Sequence, residues 1–272
     1  MFDIKVRLIS MLGLLTIVVI ISLVLDYFRV LRRPVRLGLG IAVLGITAGF
    51  VLTLNAVLPE NRFYGPVFSE IQTSEKLVAL TFDDGPNPPY TGQILDILKE
   101  RQIPATFFVL GHNVAQYPDL TRRIVAEGHQ LGNHTYTHVD LLKLDRNGVV
   151  EEIEKTNQVI AAAVGYAPHV MRPPHGFRDA VVMDIMAEYQ LKVVEWSVAS
   201  RDWLNPGAAV IADRTLRKVK NGSVILLHDG DGIAGRSPRT QTVEATRLII
   251  DRLLAQGYKF VTVDEILESM EE

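Results

Sequence analysis

From residue 76 onward, short apolar runs rich in β-branched residues recur at intervals too long for hairpin turns and long enough to hold a helix. They fall at 76–82 (KLVALTF), 105–110 (ATFFVL), 129–134, 168–172, 192–198 (KVVEWSV), 223–228 (SVILLH) and 259–263 (KFVTV). Helix-like segments lie between them, near 91–101, 113–127, 147–164, 179–189, 207–219 and 239–256. Residues 149–164 (VVEEIEKTNQVIAAAV) repeat apolar side chains at three and four with charges between, as one buried face of a helix requires. Short strands alternating with helices imply parallel βαβ units. Seven such strands predict one barrel-like α/β domain, incomplete against the eight-stranded ideal.

The chain before this domain has a different character. Leu8 to Leu25 and Leu37 to Pro59 carry no charge. About 20 apolar residues at 1.5 Å rise each cross a hydrocarbon core, so both spans are long enough. A signal peptide is the other reading of the first span, but no A-x-A-like site follows; the chain continues Asp26-Tyr27-Phe28-Arg29. A buried hairpin is disfavoured by so much uninterrupted apolar sequence. The expectation is a membrane anchor of two transmembrane helices over 1–59, a tether over 60–75 and a folded domain over 76–272. Arg29, Arg32, Arg33 and Arg36 make the connector basic, and basic short loops stay on the cytoplasmic side. Both termini and the domain are then expected outside, in a multi-pass protein of the cell membrane.

The 272 residues include no cysteine, which excludes a disulfide framework, a thiolate zinc site, an iron–sulfur cluster and a cysteine nucleophile. Any metal must be held by His, Asp, Glu or backbone oxygen. Beyond residue 59, 22 basic residues face 29 acidic ones, so no nucleic-acid partner is expected.

In barrels of this kind, chemistry lies in the loops after the C-terminal ends of the strands. Polar clusters fall there repeatedly. Asp83-Asp84-Gly85-Pro86 follows the first run, His134-Thr135-Tyr136-Thr137-His138 the third, and Arg172-Pro173-Pro174-His175-Gly176 the fourth. Asp202-Trp203 follows the fifth and His228-Asp229 the sixth. His134 and His138 are four apart, which puts both imidazoles on one side of a strand or of a helix. Asp84 could complete a two-His, one-carboxylate site, although Asp84-Gly85-Pro86 also reads as a plain turn. Adjacent carboxylates point apart along a strand, which lets Asp83 and Asp84 take different tasks.

TFDDGPN (81–87), HTYTH (134–138), RPPHG (172–176), DW (202–203) and LLH (226–228) stand in the order of the five motifs of the polysaccharide deacetylases. Over about residues 75 to 265 the chain resembles that family, the NodB-homology or carbohydrate esterase family 4 domain. The resemblance implies a deformed (β/α) barrel and metal-dependent removal of acetyl groups from N-acetylated sugars. It implies that Asp84, His134 and His138 hold a divalent metal, zinc first, with cobalt or nickel as alternatives. Asp83 would be the general base, oriented by Arg172. His228 would be the general acid, its pKa raised by Asp202. The backbone N–H of His175 would help stabilise the oxyanion, and Trp203 and Leu226 would form the slot for the acetyl methyl group. Without the resemblance, Trp203 and Leu226 read equally as core residues, Arg172 as half of a surface ion pair and Asp202 as a helix cap. Two positions depart from the family pattern. Ala199 stands where D-x-x-D-W has its first carboxylate, and His175 stands where an aromatic residue is usual. His112, His129 and His169 match no motif and are read as structural.

With the domain outside the membrane, peptidoglycan N-acetylglucosamine is the expected substrate. Chitooligosaccharides and poly-N-acetylglucosamine are the alternatives, as are a glycan-binding protein with impaired chemistry and a metal-dependent amidase acting on peptides or small amides.

Overall fold

A computed structural model describes residues 18, 19, 21, 33–233 and 237–268. Among these residues eight strands form one sheet: β1 (Leu77–Asp83), β2 (Thr106–Val109), β3 (Gln130–Asn133), β4 (Val170–Met171), β5 (Lys192–Val193), β6 (Val198–Ala199), β7 (Ser223–His228) and β8 (Lys259–Val261). Among the described residues, nine α-helices accompany them: α1 (Arg33–Val57), α2 (Tyr90–Arg101), α3 (Gly111–Gln116), α4 (Pro118–Ala126), α5 (Arg146–Val164), α6 (Ala180–Glu188), α7 (Ala208–Leu216), α8 (Thr240–Ala255) and α9 (Val263–Glu268).

Every strand pair is parallel, in the order β5-β4-β3-β2-β1-β7-β6. β1 lies at the centre, with β7 along one side. On its other side β8 pairs at Leu77–Ala79 and β2 at Thr81–Asp83. Parallel strands covered on both faces need apolar residues throughout, and β1 is buried from Val78 onward. Beneath the helices, Phe82 stacks on Phe107 with ring centroids 5.1 Å apart, amid Leu80, Ile94, Leu98, Ile225 and Ile249. Each such side chain removed from water contributes about 1.5–3 kcal/mol.

Seven strands were expected and eight are found, because the run at 192–198 divides. β5 pairs with β4, whereas β6 pairs with β7 at the opposite edge of the sheet. One bent run thus brings the two edges together and curls the sheet into a deformed barrel. The helix expected at 113–127 also divides, at Tyr117. Pro118 has no N–H to continue a helix and starts α4 instead.

At the N-terminus, the first apolar span lies outside the described residues except for Val18, Val19 and Ile21. The second is helical as α1, which begins at Arg33, so Arg33 and Arg36 belong to a helix instead of a loop. Among the described residues one helix is long and apolar enough to cross a membrane, over Gly40–Val57 with a mean hydropathy of 2.0. The aperiodic stretch at 60–75 does not hang free. Val67 and Ile71 are buried, and the Phe68 N–H donates to the Val193 carbonyl at 2.9 Å. It uses single bridges to the sheet, which leave no period to read.

Candidate active site

Because all strands run the same way, the segments after β1, β3, β4, β6 and β7 meet on one rim. They enclose a cleft of about 480 Å³, lined among others by Asp83, Asp84, His134, His138, His175, Trp203, Leu226 and His228. His112, His129 and His169 lie outside it.

At one side of the cleft, Asp84, His134 and His138 bring their ligand atoms within 4.8 Å of one another. The Nε2 atoms of His134 and His138 are 3.5 and 3.2 Å from Asp84 Oδ1, which has no hydrogen-bond partner although it is buried. A buried carboxylate oxygen without a donor is costly, and a cation there removes the cost. One carboxylate and two imidazoles suit a divalent ion of borderline softness, so the residues fit the implied metal. His134 Nδ1 donates to the Arg172 carbonyl at 2.7 Å, which leaves the Nε2 lone pair free to face Asp84. Burial pushes the Asp84 carboxyl up, but His138, His228 and His134 together outweigh it and bring it to about 2.

The two histidines share neither a strand nor a helix. Thr135 (φ 69°) and His138 (φ 60°) are left-handed and turn the chain back, so that the ring centroids approach to 5.1 Å. Glu152 of α5 fastens this loop. Its Oε2 accepts from the Tyr136 and Thr137 N–H groups, and its Oε1 from the Thr137 hydroxyl, all at 2.8 Å. Asp84 is itself left-handed at φ 79°. Next to it, a Cβ on Gly85 would lie 2.1 Å from Asp229 Oδ2, so the turn is packed against a carboxylate that only glycine admits.

Asp83 ends β1 beside this cluster, with Oδ2 3.8 Å from His134 Nε2. Its Oδ1 accepts from Arg172 at 2.7 Å. Arg172 is fully buried, not the surface cation that its type suggests. It donates further to Thr81 Oγ1 at 2.8 Å and to the Val194 and Glu195 carbonyls at 3.0 Å, and lies over the Phe108 ring.

Across the cleft, His228 Nδ1 lies 2.9 Å from Asp202 Oδ1, and the His228 N–H donates to Asp202 Oδ2 at 2.8 Å. Ser200 and Thr242 hydroxyls also donate to Asp202, which opens a 3₁₀ turn and caps no α-helix. Burial opposes charge on His228, but the adjoining Asp202 outweighs it and raises the imidazole to about 9. Trp203 packs edge-on against His228 at 5.3 Å, and Leu226 lies buried on β7 beside Ala199. His175, left-handed at φ 62°, is exposed on the rim with its ring 5.0 Å from that of His138.

Sequence reasoning missed Glu152, one charge among several on an amphipathic helix. It places Asp229 in the cluster at the end of the sixth run but assigns it no role. Asp229 is fully buried with Oδ1 unpartnered, and Thr91 Oγ1 donates to its Oδ2 at 2.5 Å. Burial raises its carboxyl to about 7, with Asp84 and Asp83 adding to the effect.

The sequence model of a family described as polysaccharide deacetylase matches residues 70–194. A chitooligosaccharide deacetylase of Rhizobium leguminosarum bv. trifolii is 42% identical over 199 residues, 70% of this chain and 92% of the relative. A peptidoglycan N-acetylglucosamine deacetylase, crystallised with an N-hydroxybenzamide compound, superposes with a TM-score of 0.68 at 37% identity, over 74% of this chain and 91% of that one. A carbohydrate esterase family 4 pseudoenzyme from Bacillus anthracis superposes with a TM-score of 0.67 at 32% identity, over 74% and 69%.

Proposed function

The chain belongs to the polysaccharide deacetylase family and is a polysaccharide N-deacetylase, and from that premise we propose that it hydrolyses the acetamide of N-acetylglucosamine in peptidoglycan outside the cytoplasmic membrane, with a divalent metal held by Asp84, His134 and His138. When bound, that ion, zinc as the family resemblance implies, would supply a Lewis acid for the acetamide carbonyl and lower the pKa of water toward about 7. Asp83, held by Arg172, accepts the proton of the attacking water. His228, charged at neutral pH through Asp202, donates a proton to the sugar nitrogen as its bond to the acetyl carbon breaks. The products are acetate and a free amine. The His175 N–H on the rim would donate to the developing oxyanion, and Trp203 and Leu226 would enclose the acetyl methyl group.

A fold in this family does not guarantee turnover, since one neighbour is a pseudoenzyme. The observation that carries the reading is the division of labour between adjacent carboxylates: Asp84 faces two imidazoles while Asp83 faces an arginine. Peptidoglycan is favoured by an apolar helix that would hold the domain at the membrane; the named activity of the Rhizobium relative favours chitooligosaccharides as the second substrate. The deciding experiment incubates the full chain in detergent with zinc and either peptidoglycan or N-acetylglucosamine oligomers, and measures acetate. Release from peptidoglycan supports the proposal, release from oligomers alone favours the second substrate, and release from neither refutes both.

A further inference from the structure

Arg178, two residues beyond the RPPHG motif, plays no part in the chemistry, yet it is 1% exposed and makes polar contacts in two directions. Toward the cleft, its Nη1 donates to the Gly176 carbonyl at 2.7 Å and lies 3.3 Å from Glu195 Oε1. Toward α1, its Nη2 faces the carbonyls of Leu58, Pro59 and Asn61 at 3.0, 2.9 and 2.5 Å, and its backbone N–H donates to the Ala56 carbonyl at 3.0 Å. The last carbonyls of a helix have no partners within it, and a cation there also opposes the helix dipole. Here the last-turn carbonyl of Ala56 is met by the Arg178 backbone N–H, and the guanidinium takes the three carbonyls of the segment that leaves the helix, from a position some 120 residues later in the chain. Burial raises Glu195 to about 8 and lowers Arg178, which weakens the ion pair, and the carbonyls at 2.5–3.0 Å are nearer to the guanidinium than Glu195 at 3.3 Å. Tyr64 adds a second tie, its hydroxyl donating to the Leu52 carbonyl at 3.2 Å.

The position of these contacts gives them a function. Phe177 and Trp196, which line the cleft, are the chain neighbours of Arg178 and Glu195. The end of α1 is therefore fixed directly behind one wall of the cleft. We propose that Arg178 clamps the catalytic barrel onto the end of α1, so that the cleft is held at a fixed height above the bilayer and works on glycan lying at the membrane surface. The inference deepens the proposed function and rests on its reading of α1 as a membrane helix.

The absence of cysteine makes the test direct. Spin labels are placed on cysteines introduced at Leu44 in α1 and at Gln158 on the exposed face of α5, and the distance between them is measured by pulsed electron resonance with the full chain in phosphatidylglycerol–phosphatidylcholine nanodiscs. One narrow distribution is expected, at least twofold broader in Arg178→Ala. A broad distribution in the parent, or a width unmoved by the substitution, overturns the clamp. If Arg178→Ala fails to fold because Glu195 loses its partner, the pair Arg178→Ala/Glu195→Gln removes the buried acid and serves instead. Six Gly/Ser residues inserted after Asn61 should leave the distribution narrow, since the contacts to 56–61 remain; broadening there shows that the chain connection, not Arg178, sets the geometry. Acetate release from a lipid-linked N-acetylated oligomer in the same nanodisc, relative to the soluble oligomer, should fall several-fold in the double variant, and an unchanged ratio refutes the fixed height. If alkaline carbonate extracts the chain from vesicles, the membrane reading fails, and the distribution in detergent micelles still decides the clamp.

Discussion

Asp202 holds His228 by two bonds, one from the ring Nδ1 at 2.9 Å and one from the backbone N–H at 2.8 Å. The imidazole is thus positioned by this carboxylate and takes most of its raised affinity for a proton from it, with Asp84 and Asp83 adding to the effect. Asp202→Asn should move the alkaline limb of the pH–rate curve from near 9 toward the ordinary histidine value of 6.5. The same pair links pH to stability. His228 binds its proton more tightly folded than unfolded, so its contribution is fully present below 6.5 and is lost as pH rises through about 9. Urea unfolding in chelator between these limits should show that loss in the parent and a flatter profile in Asp202→Asn.

Asp83→Asn should retain metal and lose turnover by about 10²–10⁴-fold, the usual worth of a positioned base. His134→Ala should lose both metal and turnover. Metal content by mass spectrometry beside acetate release separates the two, and full activity in Asp83→Asn would remove it as the base.

Glu152→Ala should weaken zinc binding by about 10–100-fold, because the loop that presents His138 loses its three bonds to the carboxylate. Glu152→Gln keeps one acceptor oxygen and should fall between. Titration calorimetry with zinc reads this without reference to catalysis; equal affinity in all three proteins would show that the loop is rigid without Glu152.

Gly85→Ala would drive a methyl group against the Asp229 carboxylate, 2.1 Å away on the unmoved backbone. Overpacking of this kind costs about 1–3 kcal/mol, or roughly 2–4 °C in Tm per kcal/mol for a domain of this size. A thermal melt in chelator isolates that cost from metal binding. No shift in Tm would mean that Asp229 swings away freely.

The strands and the polar residues that follow them were legible because both signals are local: β-branched runs fix the strand, and a parallel sheet sends every C-terminal end to one rim. What escaped notice depends on contacts between distant segments. KVVEWSV reads as one strand, and nothing within it shows that Lys192–Val193 and Val198–Ala199 pair with opposite edges. HTYTH suggested a shared face by its spacing, but left-handed turns at Thr135 and His138 bring the rings together. Arg172 and Arg178 look like surface cations until their acceptors, mostly carbonyls at remote positions, are known.

The bend at residues 194–197 joins the first and last staves of the barrel, and its carbonyls at Val194 and Glu195 are gripped by the same guanidinium that grips Asp83. Ring closure and the orientation of Asp83 therefore share one fastener. A chain whose seam has not shut leaves Asp83 without the arginine that orients it, so under the proposed mechanism half-assembled or locally opened forms should release no acetate, and hydrolysis should arrive only with the finished architecture.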